Sequence, residues 1–447
     1  MIIVVGAGPA GLAAAEAAAR SGAQVTLLDS APRFGGQYWR HRENVSGYKS
    51  ERATELFKKV SEDNGITWIS SATVWSAEKV RDSFRLNVLI NGAEKIFTAD
   101  KLILATGAYD RSLPFPGWDK PGVMTPGAAQ ALLKGHGVVA GQKIIVAGTG
   151  PFLLSVATGL AEAGAQIVGL YEAQSPLRWL LSPQAIFGNF KKFPELLHYQ
   201  RLLRKYGIKQ KFGRAVIDFR DGRATIARVN SNLTIRSGAT QELDCDVVSA
   251  GWGFQPDLSL GGLLGCAEKV DLDGTVCFQV DGEQKSSIAD IWIAGEATGI
   301  GGADLSLVEG EIAGLSATGQ QIPSTLIRNR SHKRRFAKAL MRSYPVRSGW
   351  TSWLKEETTI CRCEEVKVAE VSEAISQLGA EDSRGAKLFT RCGMGLCQGR
   401  VCSRNVSEFV AVQTGSAVLD SERIAFSNRP IAAPISLGQL ADGKSGH

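Results

Sequence analysis

Three observations predict an α/β chain of two doubly wound units followed by a small added module. A Gly-x-Gly turn between a short apolar strand and an Ala-rich helix opens the chain. A second strand, Gly-x-Gly turn and helix begins at Lys143. Five cysteines then crowd residues 361–402. The expected architecture is two Rossmann-like dinucleotide-binding domains and a C-terminal cysteine-bearing domain.

The first unit reads strand Ile2 to Val5, turn Gly6-Ala7-Gly8-Pro9-Ala10-Gly11, a helix ending near Gly22, and strand Gln24 to Leu28 closing at Asp29. Each part has a task. Gly6 makes the turn, Gly8 lets the backbone approach a pyrophosphate, and Gly11 lets helix and strand pack closely. The helix start at Pro9 and Ala10 offers free N–H groups to phosphates. Asp29 stands where an acid can bind a ribose hydroxyl.

A polar β-rich stretch (66–98) follows, then the strand Lys101 to Leu104, which ends in Ala105-Thr106-Gly107. The second unit runs Lys143 to Ala147, Gly148-Thr149-Gly150-Pro151, a helix to about Ala163, and Gln166 to Tyr171 ending at Glu172. Its third glycine position holds Leu153, whose side chain should obstruct the closest helix–strand approach. The fold is expected; whether Gly148, Gly150 and Glu172 hold a nucleotide is open.

A basic helical insert (176–206) carries Arg178, Lys191, Lys192, Arg201 and Arg204 and is a candidate partner surface. A strand meander reaches Ala250. The strand Asp290 to Ala294 ends in Gly295-Glu296, and a helix from about Leu305 to Gly319 closes the region. The basic run Arg328, Arg330, Lys333, Arg334 and Arg335 reads as a solvated helix over a domain junction, with an acidic partner as the sharper alternative. Expected boundaries are 1–113 with 245–325, then 114–244, a linker 326–355, a cysteine module 356–425 and a tail 426–447.

Composition narrows the function. The chain has 447 residues, enough for two or three domains. A net charge of +7 on that length, without aromatic or motif context, argues against nucleic acid. The Ala-rich run from Gly11 to Ala19 is too short for a membrane span and contains Glu16. No targeting segment is read before the first strand, and eight cysteines, five of them in one stretch, are too few for a disulfide framework, so a cytoplasmic protein is expected. The five histidines are dispersed and form no triad or metal pattern. No general base stands out, so catalytic residues are unknown from the sequence.

The cysteines read Cys361-Arg362-Cys363, 28 residues, then Cys392-Gly393-Met394-Gly395-Leu396-Cys397. Four thiolates on two short loops can hold zinc or an iron–sulfur cluster. Cys-x-Cys is tighter than the usual zinc spacing, and two glycines free N–H groups for sulfides, which favours [2Fe–2S]. The expected ligands are Cys361, Cys363, Cys392 and Cys397. Cys402, expected inside the following helix, is the substitute. Cys245, Cys266 and Cys277 read as small buried hydrophobes.

Residues 1–325 resemble the two-dinucleotide-domain flavoproteins related to glutathione and thioredoxin reductases. The resemblance rests on Gly6/Gly8/Gly11 with Asp29, Gly35-Gly36-Gln37, Ala105-Thr106-Gly107 and Ile293-Ala294-Gly295-Glu296. It implies FAD held by these positions (Gly36, Gln37, Thr106, Gly107, Gly295 and Glu296 among them), with Val74 counted alongside. Glu296 stands where that family usually has Asp. No redox-active cysteine pair lies in 1–325, so disulfide reduction is not expected. Leu153 and Ser155 depart from the family's nicotinamide site.

The whole chain resembles the large α subunits of multi-subunit amine or amino-acid dehydrogenases: opine oxidases, D-hydroxyproline dehydrogenase, the B subunit of hydrogen cyanide synthase and archaeal proline dehydrogenase. The carrying segments are Ala105 to Arg111, Pro116-Gly117-Trp118, Gly148 to Pro151, Cys361-Arg362-Cys363, Thr390 to Arg400 and the tail Arg429 to Gly438. This resemblance implies a C-terminal bacterioferritin-associated-ferredoxin-like (BFD-like) [2Fe–2S] domain. It implies an electron-transfer role beside an FAD-containing β subunit that oxidises a C–N bond. Some members add FMN at the subunit interface or a small ferredoxin-like γ subunit. The alternative is a self-sufficient NAD(P)H-dependent FAD/[2Fe–2S] oxidoreductase.

Overall fold

The computed structural model describes residues 1–42, 50–181, 193–238, 240–425 and 429–442. Lys191 and Lys192 of the basic insert lie outside these. The chain divides into two compact units. The first combines 1–109, 255–338 and the C-terminal tail; the second combines 110–254 with 339–426.

Short apolar runs build the first unit's sheet. Its five parallel strands lie in the order Ile291–Ile293, Lys101–Leu104, Ile2–Val5, Val25–Leu28, Ile66–Ile69. The central strand is buried along its whole length, as a doubly covered parallel sheet requires. The helix Pro9–Arg20 presents alanines to the sheet and to the helix Ala303–Ala317. The two helices touch backbone to backbone: a Cβ on Gly310 would lie 2.0 Å from the Ala10 carbonyl oxygen, and one on Gly314 2.4 Å from that of Ala14. The β-rich stretch forms a three-stranded antiparallel sheet, Ala72–Val80, Ser83–Ile90 and Ala93–Ala99. Asn91 and Gly92, both at positive φ, make its second hairpin turn.

The second unit repeats the plan. Its strand order is Gln210–Phe212, Gln166–Glu172, Lys143–Gly148, Val247–Gly251, Val123–Met124, all parallel. An antiparallel sheet, Arg214–Arg220, Arg223–Arg228 and Gln241–Asp244, follows.

The cysteine module belongs to this second unit. A short hairpin, Thr359–Cys361 with Val366–Lys367, leads to three helices: Val368–Ser376, Ser383–Thr390 and Ser403–Thr414. Their core joins Ile360, Val371, Ala386, Val406 and Phe409 to Cys361, Cys392 and Cys402. The helix Ser403–Thr414 also carries Glu408, whose carboxylate is 7 % exposed. It accepts hydrogen bonds from Arg111 Nη2 (3.0 Å), Arg404 Nε (2.9 Å) and Trp350 Nε1 (2.9 Å). Trp118 Nε1 donates to the Thr359 carbonyl at 2.6 Å, and Asn405 Nδ2 to that of Ser112 at 3.0 Å. The segment 111–118 therefore seats both the hairpin and the last helix of the module.

The basic helix Ser324–Ser343 is not solvated along its whole face. Arg334 pairs with the fully buried Glu309 and donates to the Gly299 carbonyl at 2.7 Å; Arg330 Nε lies 3.5 Å from the same carboxylate. A carboxylate at zero exposure needs cationic partners, and the basic run supplies them.

Candidate nucleotide cradles and cysteine centre

The first cradle is made of absent side chains. Gly6, at φ +103°, is pressed against the neighbouring strand: a Cβ there would lie 2.2 Å from the Ala105 carbonyl oxygen. A Cβ on Gly11 would lie 1.7 Å from the Gly6 oxygen, so helix and strand meet only because Gly11 has none. Gly8 ends in extended backbone just before the helix, with Pro9 at its first position. Pro9 has no N–H to strand, and the following N–H groups of the first turn stay unpaired within the helix.

The structure brings Gly36 onto this turn, with a Cβ on Gly36 only 2.9 Å from Gly8 Cα. Gly35 N–H donates to the Ala7 carbonyl at 2.8 Å. Gln37 is exposed on the same loop. Asp29 closes the next strand; its carboxylate accepts from the backbone N–H of Ala7 and from that of Ala31 at 2.7 Å. Burial pushes its carboxyl above the ordinary value, against those two hydrogen bonds. Gly295 also converges here, since its Cβ would lie 2.8 Å from Ala10 Cβ. The neighbouring Glu296 carboxylate folds back onto the N–H groups of Gly302 (2.7 Å) and Gly301 (3.2 Å). Thr106 donates its hydroxyl to the Asp257 carbonyl at 2.7 Å, and Gly107 takes φ +77°. Val74 is buried in the antiparallel sheet, paired with Val88. Bare backbone at Gly8 and Gly36 beside a helix N-terminus suits the pyrophosphate of a dinucleotide.

The second cradle differs at two points. Gly148 repeats Gly6: at φ +136°, its Cβ would lie 1.6 Å from the Gly251 oxygen. Gly150 faces open space. Leu153, however, is buried in the core with Ile144, Val146 and Val156, so the third position is filled by packing. The Glu172 carboxylate is buried and already takes three donors: Thr149 Oγ1 (2.7 Å), Gly150 N–H (2.8 Å) and Gln174 N–H (2.9 Å). Burial outweighs these bonds and pushes its carboxyl up to about 7.

All five C-terminal cysteines come together. Cys361 Sγ and Cys402 Sγ lie 3.6 Å apart. Cys392 also bonds Cys361, Cys402 also bonds Cys397, and Cys397 bonds Cys363. Donation from the Cys392 and Cys402 thiols pulls Cys361 down to about 2, and donation from Cys402 brings Cys397 to about 5. The two donors move the opposite way. Backbone N–H groups of Gly393 and Glu364 point at Cys361; those of Val401 and Gly399 point at Cys397. Gly395 lies so close to the first loop that a Cβ there would be 2.5 Å from Cys363 Cβ. Cys402 is not within the last helix but at the position just before it, buried and turned toward Cys361. The lone Cys near a helix start gave no spacing signal for this; only its position ten residues after Cys392 could have suggested it.

Among the described residues, no three such side chains are set around a single metal ion. The sulfurs instead form a string of contacting pairs, and a two-iron cluster uses two thiolates per iron. Five sulfurs fed by backbone N–H donors fit that chemistry. Cys245, Cys266 and Cys277 are buried apart from this group, and burial pushes them to about 11, 11 and 12. No helix among the described residues is long and apolar enough to cross a membrane.

Comparison with known proteins matches these parts in turn. Residues 1–327 match the pyridine nucleotide-disulphide oxidoreductase family, and residues 359–411 the BFD-like [2Fe-2S] binding domain. An opine oxidase subunit from Agrobacterium tumefaciens (strain Ach5) is 33% identical over 98% of this chain and 91% of its own. Hydrogen cyanide synthase subunit HcnB of Pseudomonas protegens is 30% identical over 96% of each chain. Among solved structures, L-proline dehydrogenase from P. horikoshii shares the fold with a TM-score of 0.67, at 19% identity, over 98% of this chain and 78% of that one.

Proposed function

We propose, from the premise that the chain belongs to the pyridine nucleotide-disulphide oxidoreductase family and carries a BFD-like [2Fe-2S] binding domain, that it is the electron-transfer subunit of a multi-subunit amino-acid or opine oxidase. It is an oxidoreductase whose cofactors are FAD and a [2Fe–2S] cluster. The observation that carries the reading is one chain joining both cofactor modules, related along its length to proteins that are themselves subunits. A partner β subunit with its own FAD would oxidise the C–N bond; FMN at the interface and a small ferredoxin-like γ subunit are optional parts of such an assembly. When bound, FAD accepts an electron pair and can release it singly, while a [2Fe–2S] cluster carries one electron.

The chain's own residues then hold and orient. Gly6, Gly8 and Gly11, with Pro9, Ala10, Gly36 and Gln37, would cradle the FAD pyrophosphate. Asp29 would meet the ribose, and Thr106, Gly107, Gly295, Glu296 and Val74 would line the rest of the site. Cys361, Cys363 and Cys397 would ligate the cluster. The fourth place lies between Cys392 and Cys402; contact with both Cys361 and Cys397 favours Cys402. The proposed parts are 1–113 with 245–325 for the flavin, 114–244, a connection 326–355 and 356–425 for the cluster, beside unit cuts at 109/110, 254/255 and 338/339.

A nicotinamide enzyme is the second reading. It would need the second cradle to bind NAD(P)H at Gly148, Gly150 and Glu172. Against it, Glu172 already has three donors and Leu153 fills the third glycine position. The test is an anaerobic spectrum with flavin and iron analysis of the pure chain, before and after NADH. Flavin and two irons per chain, unmoved by NADH, are expected. Rapid bleaching by NADH would overturn the subunit reading in favour of the enzyme.

A further inference from the structure

The cysteine loops are ringed by side chains that the module's own fold does not use. Leu396, between the cluster-forming residues, is 74% exposed, and Met394 38%. Leu388 and Phe389, at the end of the helix that leads into Cys392, are 67% and 53% exposed. Cys363 is itself exposed. Four large apolar side chains left in water within nine residues, on the loop and helix end that carry Cys392 and Cys397, are more than the single exposed apolar residues usual on a monomer's exterior.

The charge beside the Cys392–Cys397 loop is mainly cationic. Residues 383–401 contain Arg384, Lys387, Arg391 and Arg400 and not one Asp or Glu. Helical spacing places Arg384, Lys387 and Leu388 together on the exposed side of Ser383–Thr390, and Arg391 follows as its C-cap. On the facing loop, Glu364 is engaged by Arg391 at 2.9 Å, while Arg362 and Glu365 are both exposed, so the cationic excess comes from Lys387, Arg391 and Arg400. Exposed apolar side chains and a cationic excess thus flank the loops that carry Cys363 and Cys397.

We propose that this face docks a small one-electron carrier protein whose redox group sits in an apolar face rimmed by carboxylates. The inference rests on the cluster reading above and adds the exit point. One electron leaves the reduced cluster, which becomes oxidised, and reduces the partner's one-electron centre; no proton or atom need cross. Apolar contact would bring the two groups close, while the complementary charges steer encounter and set orientation.

The experiment measures binding, so that it is independent of electron flow. Calorimetric titration of the full chain uses two carriers of opposite charge: the soluble domain of cytochrome b5 (acidic) and cytochrome c (basic). The acidic carrier should bind at low salt and weaken by about ten-fold or more at moderate salt. Lys387→Glu and Leu388→Glu should each weaken it by about ten-fold. Both positions are exposed, so the variants should fold and keep their iron. Binding of neither carrier, equal binding of both, or variants that bind like the wild type would overturn the proposal. Iron analysis of the same sample tests the cluster reading separately: a chain without iron that still selects the acidic carrier would remove that reading and leave the surface.

Discussion

Replacing Glu408 by glutamine probes how firmly the cysteine module is seated. Burial alone would raise this carboxyl. The Arg111 and Arg404 guanidiniums and the Trp350 N–H outweigh burial and hold it at about 2, against an ordinary 4.5. A shift of that size corresponds to roughly 3 kcal/mol of stability. The independent expectation for stripping one partner from a buried ion pair is about 3–5 kcal/mol, because Arg111 is left charged and enclosed. The sign follows from the depressed folded value: the contribution is whole above the unfolded 4.5 and fades as pH falls toward 2. Guanidinium unfolding followed by tryptophan fluorescence reads it directly, since Trp350 touches the mutated group. The wild type should exceed Glu408→Gln by about 3 kcal/mol at pH 7 and by about 2 at pH 3.5. The double variant with Arg111→Met should lose less than the two single losses combined, because the Arg111 charge is no longer left buried without its carboxylate. A difference under about 1 kcal/mol at pH 7, or one that does not shrink in acid, would refute the reasoning.

Two further predictions separate holding a fold from holding a cofactor. Gly6→Ala drives a Cβ to 2.2 Å from the Ala105 oxygen and should cost both flavin content and thermal stability; Gly8→Ala, with its Cβ 4.0 Å from the nearest atom, should keep the melting temperature yet lose flavin. A Gly8→Ala chain that copurifies with full flavin would remove the cradle. Cys402→Ser should lower iron below that of Cys392→Ser, which should stay near two per chain by colorimetric assay. The reverse order would restore Cys392 as the fourth ligand.

The glycine turns were legible because contiguous residues encode them. Gly6 and Gly148 both occupy backbone space that no other residue can enter, and the flanking apolar runs declare the strands. The cysteine centre was legible to the extent that its loops are short. Cys402 was harder, because a residue at a helix start can turn its side chain inward or outward, and only packing decides. Long-range polar partners leave no local trace. Arg111 and Glu408 are 297 residues apart, and nothing around either one announces a buried pair. The same holds for Arg334 and Glu309: a run of cations reads as a wet helix until the acid beneath it is seen. Glu172 had the position of a ribose ligand, yet its three internal donors come from turn geometry that spacing does not show.

The first sheet's strand order has a consequence for the ribosome. Its edge strand Ile291–Ile293 pairs with Lys101–Leu104, nearly two hundred residues upstream. The helix Ala303–Ala317, which covers the alanine face of Pro9–Arg20, emerges later still. At about 5–20 residues per second, the nascent first unit waits about 10–40 s with that face bare and its sheet unfinished. The second unit's sheet strands, all within 123–251, are made during that wait and can close first. Biogenesis should therefore be the step at which this chain most needs a holding chaperone, and the flavin can be locked in only after translation has passed the last strand.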